Sequence, residues 1–329
     1  MIAYMTSRRQ FNGGILSMDA IFEFCEHIRN IPADVDEVDL LISSQGGDPI
    51  AAWRIVSLLR ERFKKVSVLI PYNAQSAATV LVLGADEILM HPFSYLGPID
   101  VQMSMPPNEP NGMPRMFSTK DISSYIDFLK EDLRIKDGDL GSIASESFLE
   151  EFSPSEIGAI KKSMVFIESI ATKLLETHID DEDSVKEIVD KFTGFSHHGY
   201  TVGRKEAIDL KLPVLPELDK ELEELIWTVW DDAEREMKCR EVFDPMLIIS
   251  QDDGVMKRLF VSPERQKKSG DKNIEKVEDI TIVSLVESLG LRSHYDTKAI
   301  ISAYRENNLN IVVNVNFVPL GWVTERMDG

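Results

Sequence analysis

Cysteine is nearly absent from this chain: Cys25 and Cys239 are the only two in 329 residues. They lie far apart, without a second cysteine or a histidine at ligand spacing, so neither a disulfide framework nor a zinc site is expected and a reducing compartment fits. Long apolar runs are missing too. No window approaches the roughly 18 uncharged apolar residues of a membrane span, and the opening MIAYMTSRRQFNGG has no apolar stretch of signal-peptide length. The expectation is a cytoplasmic protein with no membrane span. Basic residues are in deficit, 36 against 56 acidic ones, for a formal net charge of −20. Such a field repels phosphate backbones, and nucleic acid is not an expected partner.

What is present suits a large core: 43% of the residues are hydrophobic. The first hundred residues alternate short apolar runs with amphipathic stretches, the pattern of strand and helix units feeding a largely parallel sheet, so the fold class is α/β. MDAIFEFCEHIRNI (18–31) has helical spacing, VDLLISS (38–44) reads as a strand, and IAAWRIVSLLRERF again has helical spacing. KVSVLIP (65–71) reads as a buried strand, SAATVLVLG (76–84) as a short helix and DEILMHP (86–92) as the next strand. Gly46, Gly47 and Ser76 therefore fall at two strand-to-helix junctions. Serine at a helix start has an ordinary use as an N-cap, and a glycine pair an ordinary use in a tight turn. Both junctions lie at the carboxyl edge of a parallel sheet, where such folds place their ligand sites. Glycine lets backbone N–H groups approach a substrate oxygen, and the amides of Gly47 and Ala77 are the candidate pair for stabilising an oxyanion, with Gly46 in the substrate groove.

LLISSQGGDPIAAWRIV followed by VSVLIPYNAQSAATVLVLGADEILMHPFSYLGPID resembles the serine peptidases of the Clp/crotonase superfold, most closely the serine dehydrogenase proteinase family. That family is similar to signal peptide peptidase A, the NfeD-associated serine proteases and the Clp proteolytic subunit. The resemblance covers roughly residues 1–216 and is densest over 38–100. It implies a spiral ββα fold, self-assembly into a homo-oligomer, and Ser76 as nucleophile. Three positions depart from the usual pattern: Gln45 replaces a proline before the glycines, Ala78 a glycine, and Asp-Val-Gln the usual Asp-Pro-Gln after LGPI.

A serine hydroxyl needs a positioned base, and two candidates compete. Lys130 lies at the edge of the apolar stripe of TKDISSYIDFLKEDL (119–133), where partial burial would lower its pKa; the stretch resembles the segment carrying the catalytic lysine of the NfeD-associated proteases. His91, fifteen residues after Ser76, matches in place the histidine of the Clp proteolytic subunit, with Asp190 as its orienting carboxylate. Adjacent His197 and His198 lack partners at metal-ligand spacing and read as loop residues, so no metal and no cofactor is expected. LGPID (96–100) reads as a rigid turn.

Ile157, Ile160, Met164, Ile167, Ile170 and Leu174 form the stripe of a long helix that in part meets another subunit. Residues 1–240 are expected to form the Clp/crotonase-like domain and 241–329 a smaller C-terminal α+β module. In that module MLIISQDDGVMKRLFVS reads as a hairpin with Asp-Gly at its turn, 263–276 as a charged loop, DITIVSLVESLGL and TKAIISAYRENN as helices, and NIVVNVNFVP as a strand. The resulting expectation is an ATP-independent cytoplasmic serine peptidase acting on proteins or peptides. Two rivals stand beside it: a catalytically silent scaffold or peptide-binding protein of the same fold, and a crotonase-like acyl-CoA enzyme.

Overall fold

The computed structural model describes residues 1–100, 102–105, 115–195, 197–259, 274–306 and 310–327. In chain order the elements of the first hundred residues are β1 (Ile2–Thr6), α1 (Ala20–Asn30), β2 (Glu37–Ser43), α2 (Pro49–Arg62), β3 (Lys65–Ile70), β4 (Asn73–Ala74), α3 (Ala77–Val82), β5 (Glu87–Met90) and β6 (Tyr95–Leu96). Next come hairpin strands β7 (Gln102–Met105) and β8 (Arg115–Ser118), α4 (Thr119–Asp127), a π-helical turn (Phe128–Asp132) and α5 (Asp137–Glu151). Then come α6 (Pro154–Leu175), α7 (Glu182–Gly194), β9 (Val202–Gly203), α8 (Arg204–Asp209) and α9 (Lys220–Glu236). The chain continues through α10 (Pro245–Ser250), α11 (Asp253–Leu259), β10 (Glu275–Ser288), β11 (Leu291–Glu306) and β12 (Asn310–Arg326).

The α/β class holds. One seven-stranded sheet runs β12-β11-β10-β1-β2-β3-β5. Its β1, β2, β3 and β5 are parallel, and β10 to β12 join antiparallel. The parallel strands are continuous apolar runs because both faces are covered. Ile2, Tyr4, Leu40, Ile42, Val68 and Ile88 belong to the main core, shared with α1, α2, α3, α6 and α7. The alternate residues Ala3, Met5, Leu41, Leu69 and Leu89 face α9, through Ile226, Trp230 and Ala233. Among the described residues no helix is long and apolar enough to cross a membrane.

The sheet is continuous across residue 240, and the segment beyond it departs from three expectations. The stretch around Asp252-Asp253-Gly254 is two short helices, not a hairpin: Asp244 caps α10, and Asp252 Oδ1 accepts from the N–H groups of Gly254 and Val255 to start α11. The two stretches expected as helices are β10 and β11, joined at Leu289-Gly290, where Gly290 takes φ +74°. Their β-branched residues pair along a ladder from Glu275↔Ala303 to Ser288↔Leu291, and Val283, Leu285, Val286, Ala299 and Ile301 are buried. Side-chain packing on the pleat overrides the approximate helical spacing. The NIVVNVNFVP stretch lies in β12 as expected, whereas residues 263–273 of the charged stretch lie outside the described residues.

Candidate active site

A second, small sheet builds the site. In it β4 pairs parallel with β6, and β6 pairs antiparallel with β9. The chain leaves β4 directly into Gln75-Ser76, leaves β6 into Gly97–Asp100, and enters β9 from His198–Thr201. Because β9 is antiparallel, with Leu96 opposite Val202, all three connections emerge at the same edge of the small sheet. Thr79 Oγ1 ties two of them together, lying 2.8 Å from Ala74 O and 2.9 Å from Gly97 O. The Ile99 N–H bonds Phe192 O (3.1 Å), bringing the end of α7 alongside.

Ser76 sits at φ +51°, ψ −121°, and Ala78 N–H bonds Gln75 O at 2.9 Å. These are the features of a type II′ turn with serine at the position glycine ordinarily takes. A non-glycine residue there is strained by about 1–3 kcal/mol. The hydroxyl makes no capping bond to α3, so the ordinary N-cap explanation of this serine does not describe it. Ser76 remains half-exposed.

The glycine pair abuts this turn. Gly46 takes φ +101°, and a Cβ there would come within 2.6 Å of Gln75 O and 2.8 Å of Ser76 Cβ. At Gly47, with φ +149°, a Cβ would fall 2.2 Å from Leu16 O. Leu16 brackets the pair: its N–H donates to Gly46 O (2.8 Å), and its carbonyl accepts from Asp48 N–H (2.7 Å). Gly46 N–H is taken by Ser44 Oγ (3.1 Å). Neither the Gly47 nor the Ala77 N–H has an acceptor among the described residues. Gly46, Gly47, Ser76 and Ala77 thus line one cavity of about 560 Å³, with apolar walls from Ile15, Pro49, Val80, Ile99 and Ile167.

The two candidate bases lie elsewhere. Lys130 is exposed on the π-helical turn and is not among the residues lining this cavity. His91 is buried on the other side of the sheet: alternation along β5 sends Leu89 and His91 toward α9, where the imidazole packs on Trp227 (4.9 Å) and Phe93 (5.1 Å). Burial lowers its pKa, and its Nδ1 accepts from Phe93 N–H. Asp190 borders a different depression with Glu168, Thr172 and Lys186.

Two residues read from the sequence as loop and turn do line the cavity. His198 Nδ1 lies 2.5 Å from Asp100 Oδ1, and the other Asp100 oxygen accepts from Ser118 Oγ at 2.6 Å. Ser118 is in turn the N-cap of α4, in a capping box with Asp121. The hydrogen bond to Asp100 raises the His198 pKa. Burial by itself would raise the Asp100 carboxyl, but the bonds from His198 and Ser118 hold it below its ordinary value. Among the described residues no group of three or more His, Cys, Asp or Glu side chains is placed to hold a metal.

Residues 15–122 match the family of ClpP-like SDH-type serine proteinases. The match includes Gly46, Gly47, Ser76 and Asp100, and ends short of His198. Two uncharacterized proteins of Methanocaldococcus jannaschii, MJ1495 and MJ0137, are 36% and 35% identical over 85 residues, 26% of this chain and 29% of each relative. The chain therefore aligns with less than a third of those relatives' length. Among solved structures, a mutant of the 1510-N membrane-bound stomatin-specific protease aligns at TM-score 0.38 and 15% identity, over 64% of this chain and 78% of that one. ClpP1 from Listeria monocytogenes aligns at 0.37 and 12%, over 67% and 94%.

Proposed function

We propose that the chain is a serine peptidase that cleaves proteins or peptides through an acyl-enzyme on Ser76. One observation carries the reading: Ser76 stands at a strained turn, its hydroxyl unused by the helix behind it, facing a cavity with two unspent backbone donors. A serine serving only the fold would cap α3 or be replaced by glycine. Strain retained at such a position is characteristic of functional sites. In this reading Ser76 Oγ attacks a peptide carbonyl held against the apolar wall, and the amides of Gly47 and Ala77 receive the oxygen as its charge develops. Removal of one such donor typically costs about 10²–10³ in rate. Homo-oligomer formation belongs to the same proposal and is supported by Val165 and Phe166, which α6 leaves exposed; sedimentation velocity tests it.

The experiment is labelling with a fluorophosphonate probe followed by peptide mapping. The expected result is modification at Ser76 in the wild type and none in Ser76→Ala. A folded wild-type protein that stays unmodified at Ser76 in every assembly state refutes the proposal and favours the silent peptide-binding scaffold.

A further inference from the structure

The proposed peptidase reading leaves its base unassigned, and the inference below rests on that reading. We propose that His198 is the proton acceptor for Ser76 and that Asp100, fixed by Ser118, is the residue that positions it. Three observations support the assignment. The small sheet delivers the three connections carrying Ser76, Asp100 and His198 to one edge. All three residues line the same cavity. The carboxylate can only accept, so the short contact fixes the Nδ1 of His198 as the protonated nitrogen and leaves Nε2 with its lone pair.

The Asp100 side chain is 3% exposed and that of His198 33%. A buried anion thus supports a half-open imidazole, the division of roles expected of an orienting carboxylate and its base. Burial leaves Asp100 little alternative partner, and Ser118 Oγ restrains the second oxygen, so rotation of the carboxylate away from His198 would break two bonds. Ser76 Oγ and His198 are not hydrogen-bonded to each other in this arrangement. Catalytic hydrogen bonds are often long or absent before substrate binds, so their absence here does not exclude the pair.

The step balances without a co-reactant. The Ser76 O–H bond breaks as its proton passes to His198 Nε2. The Oγ–C bond forms while the carbonyl π pair moves onto oxygen. As that pair returns, the C–N bond breaks and the amine departs with the proton from Nε2. Water then repeats the sequence on the ester, releasing the acid and restoring Ser76. Asp100 remains ionised throughout.

The test is built to report on the pair whether or not any peptide is cleaved. In Ser76→Cys, iodoacetamide alkylation at position 76 is followed against pH by mass spectrometry, which separates it from Cys25 and Cys239. An imidazolium next to the introduced thiol lowers its pKa below the ordinary 8.5 or so. We expect alkylation at pH 6 to be at least about tenfold faster than in the same variant carrying His198→Gln. Asp100→Asn should shift the profile toward the His198→Gln result, and Asp100→Glu should restore it in part. Lys130→Ala and His91→Ala should leave it unchanged. Thermal melts establish that each variant is folded. A profile indifferent to both His198→Gln and Asp100→Asn, or one moved by Lys130→Ala instead, overturns the assignment. If the thiol responds to His198 while wild-type Ser76 resists fluorophosphonate, the pair stands and the peptidase reading fails. If fluorophosphonate labels Ser76 equally with and without His198, the peptidase stands and the base is elsewhere.

Discussion

Replacing Ser76 by glycine should stabilise the protein relative to replacing it by alanine, although both changes remove the same hydroxyl. At φ +51°, ψ −121° a Cβ is strained by about 1–3 kcal/mol, and alanine keeps that Cβ. Glycine removes the strain but adds about 0.5–1 kcal/mol of unfolded-state entropy. The net difference should be about 1 kcal/mol in favour of Ser76→Gly, or about 2 °C in Tm for a chain of this size. Urea titrations of the two variants provide the measurement, and equal slopes show that the same surface is exposed on unfolding. Both variants should lack fluorophosphonate labelling. If Ser76→Ala is as stable as Ser76→Gly, the strained turn does not exist in solution, and the argument that this serine is held for chemistry loses its support.

Gly47→Ala should be much worse than an ordinary surface change, because its Cβ would meet Leu16 O at 2.2 Å. A loss of more than about 2 kcal/mol, with loss of labelling at Ser76, is expected from chemical denaturation. His27 is fully buried between Ser288 and Ser293, with Glu23 and Glu26 on its own helix, and burial pushes its pKa down to about 4. The unfolded chain therefore binds the extra proton between about pH 6.5 and 4, and stability should fall as pH falls through that window, by about 3 kcal/mol at most. Melting His27→Gln alongside the wild type from pH 7 to 4 checks this, since the variant should lose that part of the pH dependence. Trp230→Ala removes a 2%-exposed ring whose Nε1 donates to Ser43 Oγ; a cost of about 3–5 kcal/mol by urea titration is expected.

The elements of the first hundred residues were legible because their determinants are local. Buried parallel strands are continuous apolar runs, and α1 and α2 carry their apolar residues at helical spacing between Asp19 and Asp48 at their starts and the extended residues Ile31 and Phe63 at their ends. The glycine pair and Ser76 were legible for the same reason, since strand-to-helix junctions are written in a few consecutive residues. In β10 the apolar residues Ile280, Ile282, Val283, Leu285 and Val286 mimic a helical stripe. The signal that should have outweighed it was the density of β-branched residues before Gly290. The partnership of His198 with Asp100 spans 98 residues and depends on a two-residue strand pairing, Tyr95↔Gly203 and Leu96↔Val202. No spacing rule reaches across such a gap. Alternation along β5, by contrast, already placed His91 on the same face as Leu89, once α9 is known to cover it.

The place of β1 in the sheet bears on how the chain is made. Its residues pair on one side with β2, Ile2 opposite Leu40, and on the other with β10, Ile2 opposite Ser288. At roughly 5–20 residues per second, β1 leaves the ribosome roughly fifteen seconds to a minute before β10 exists. During that interval the nascent chain carries an unpaired strand edge bearing Ile2, Tyr4 and Met5, all destined for the interior. An edge of this kind is a template for pairing between chains. Until β10 is made, that edge of β1 has no partner within its own chain.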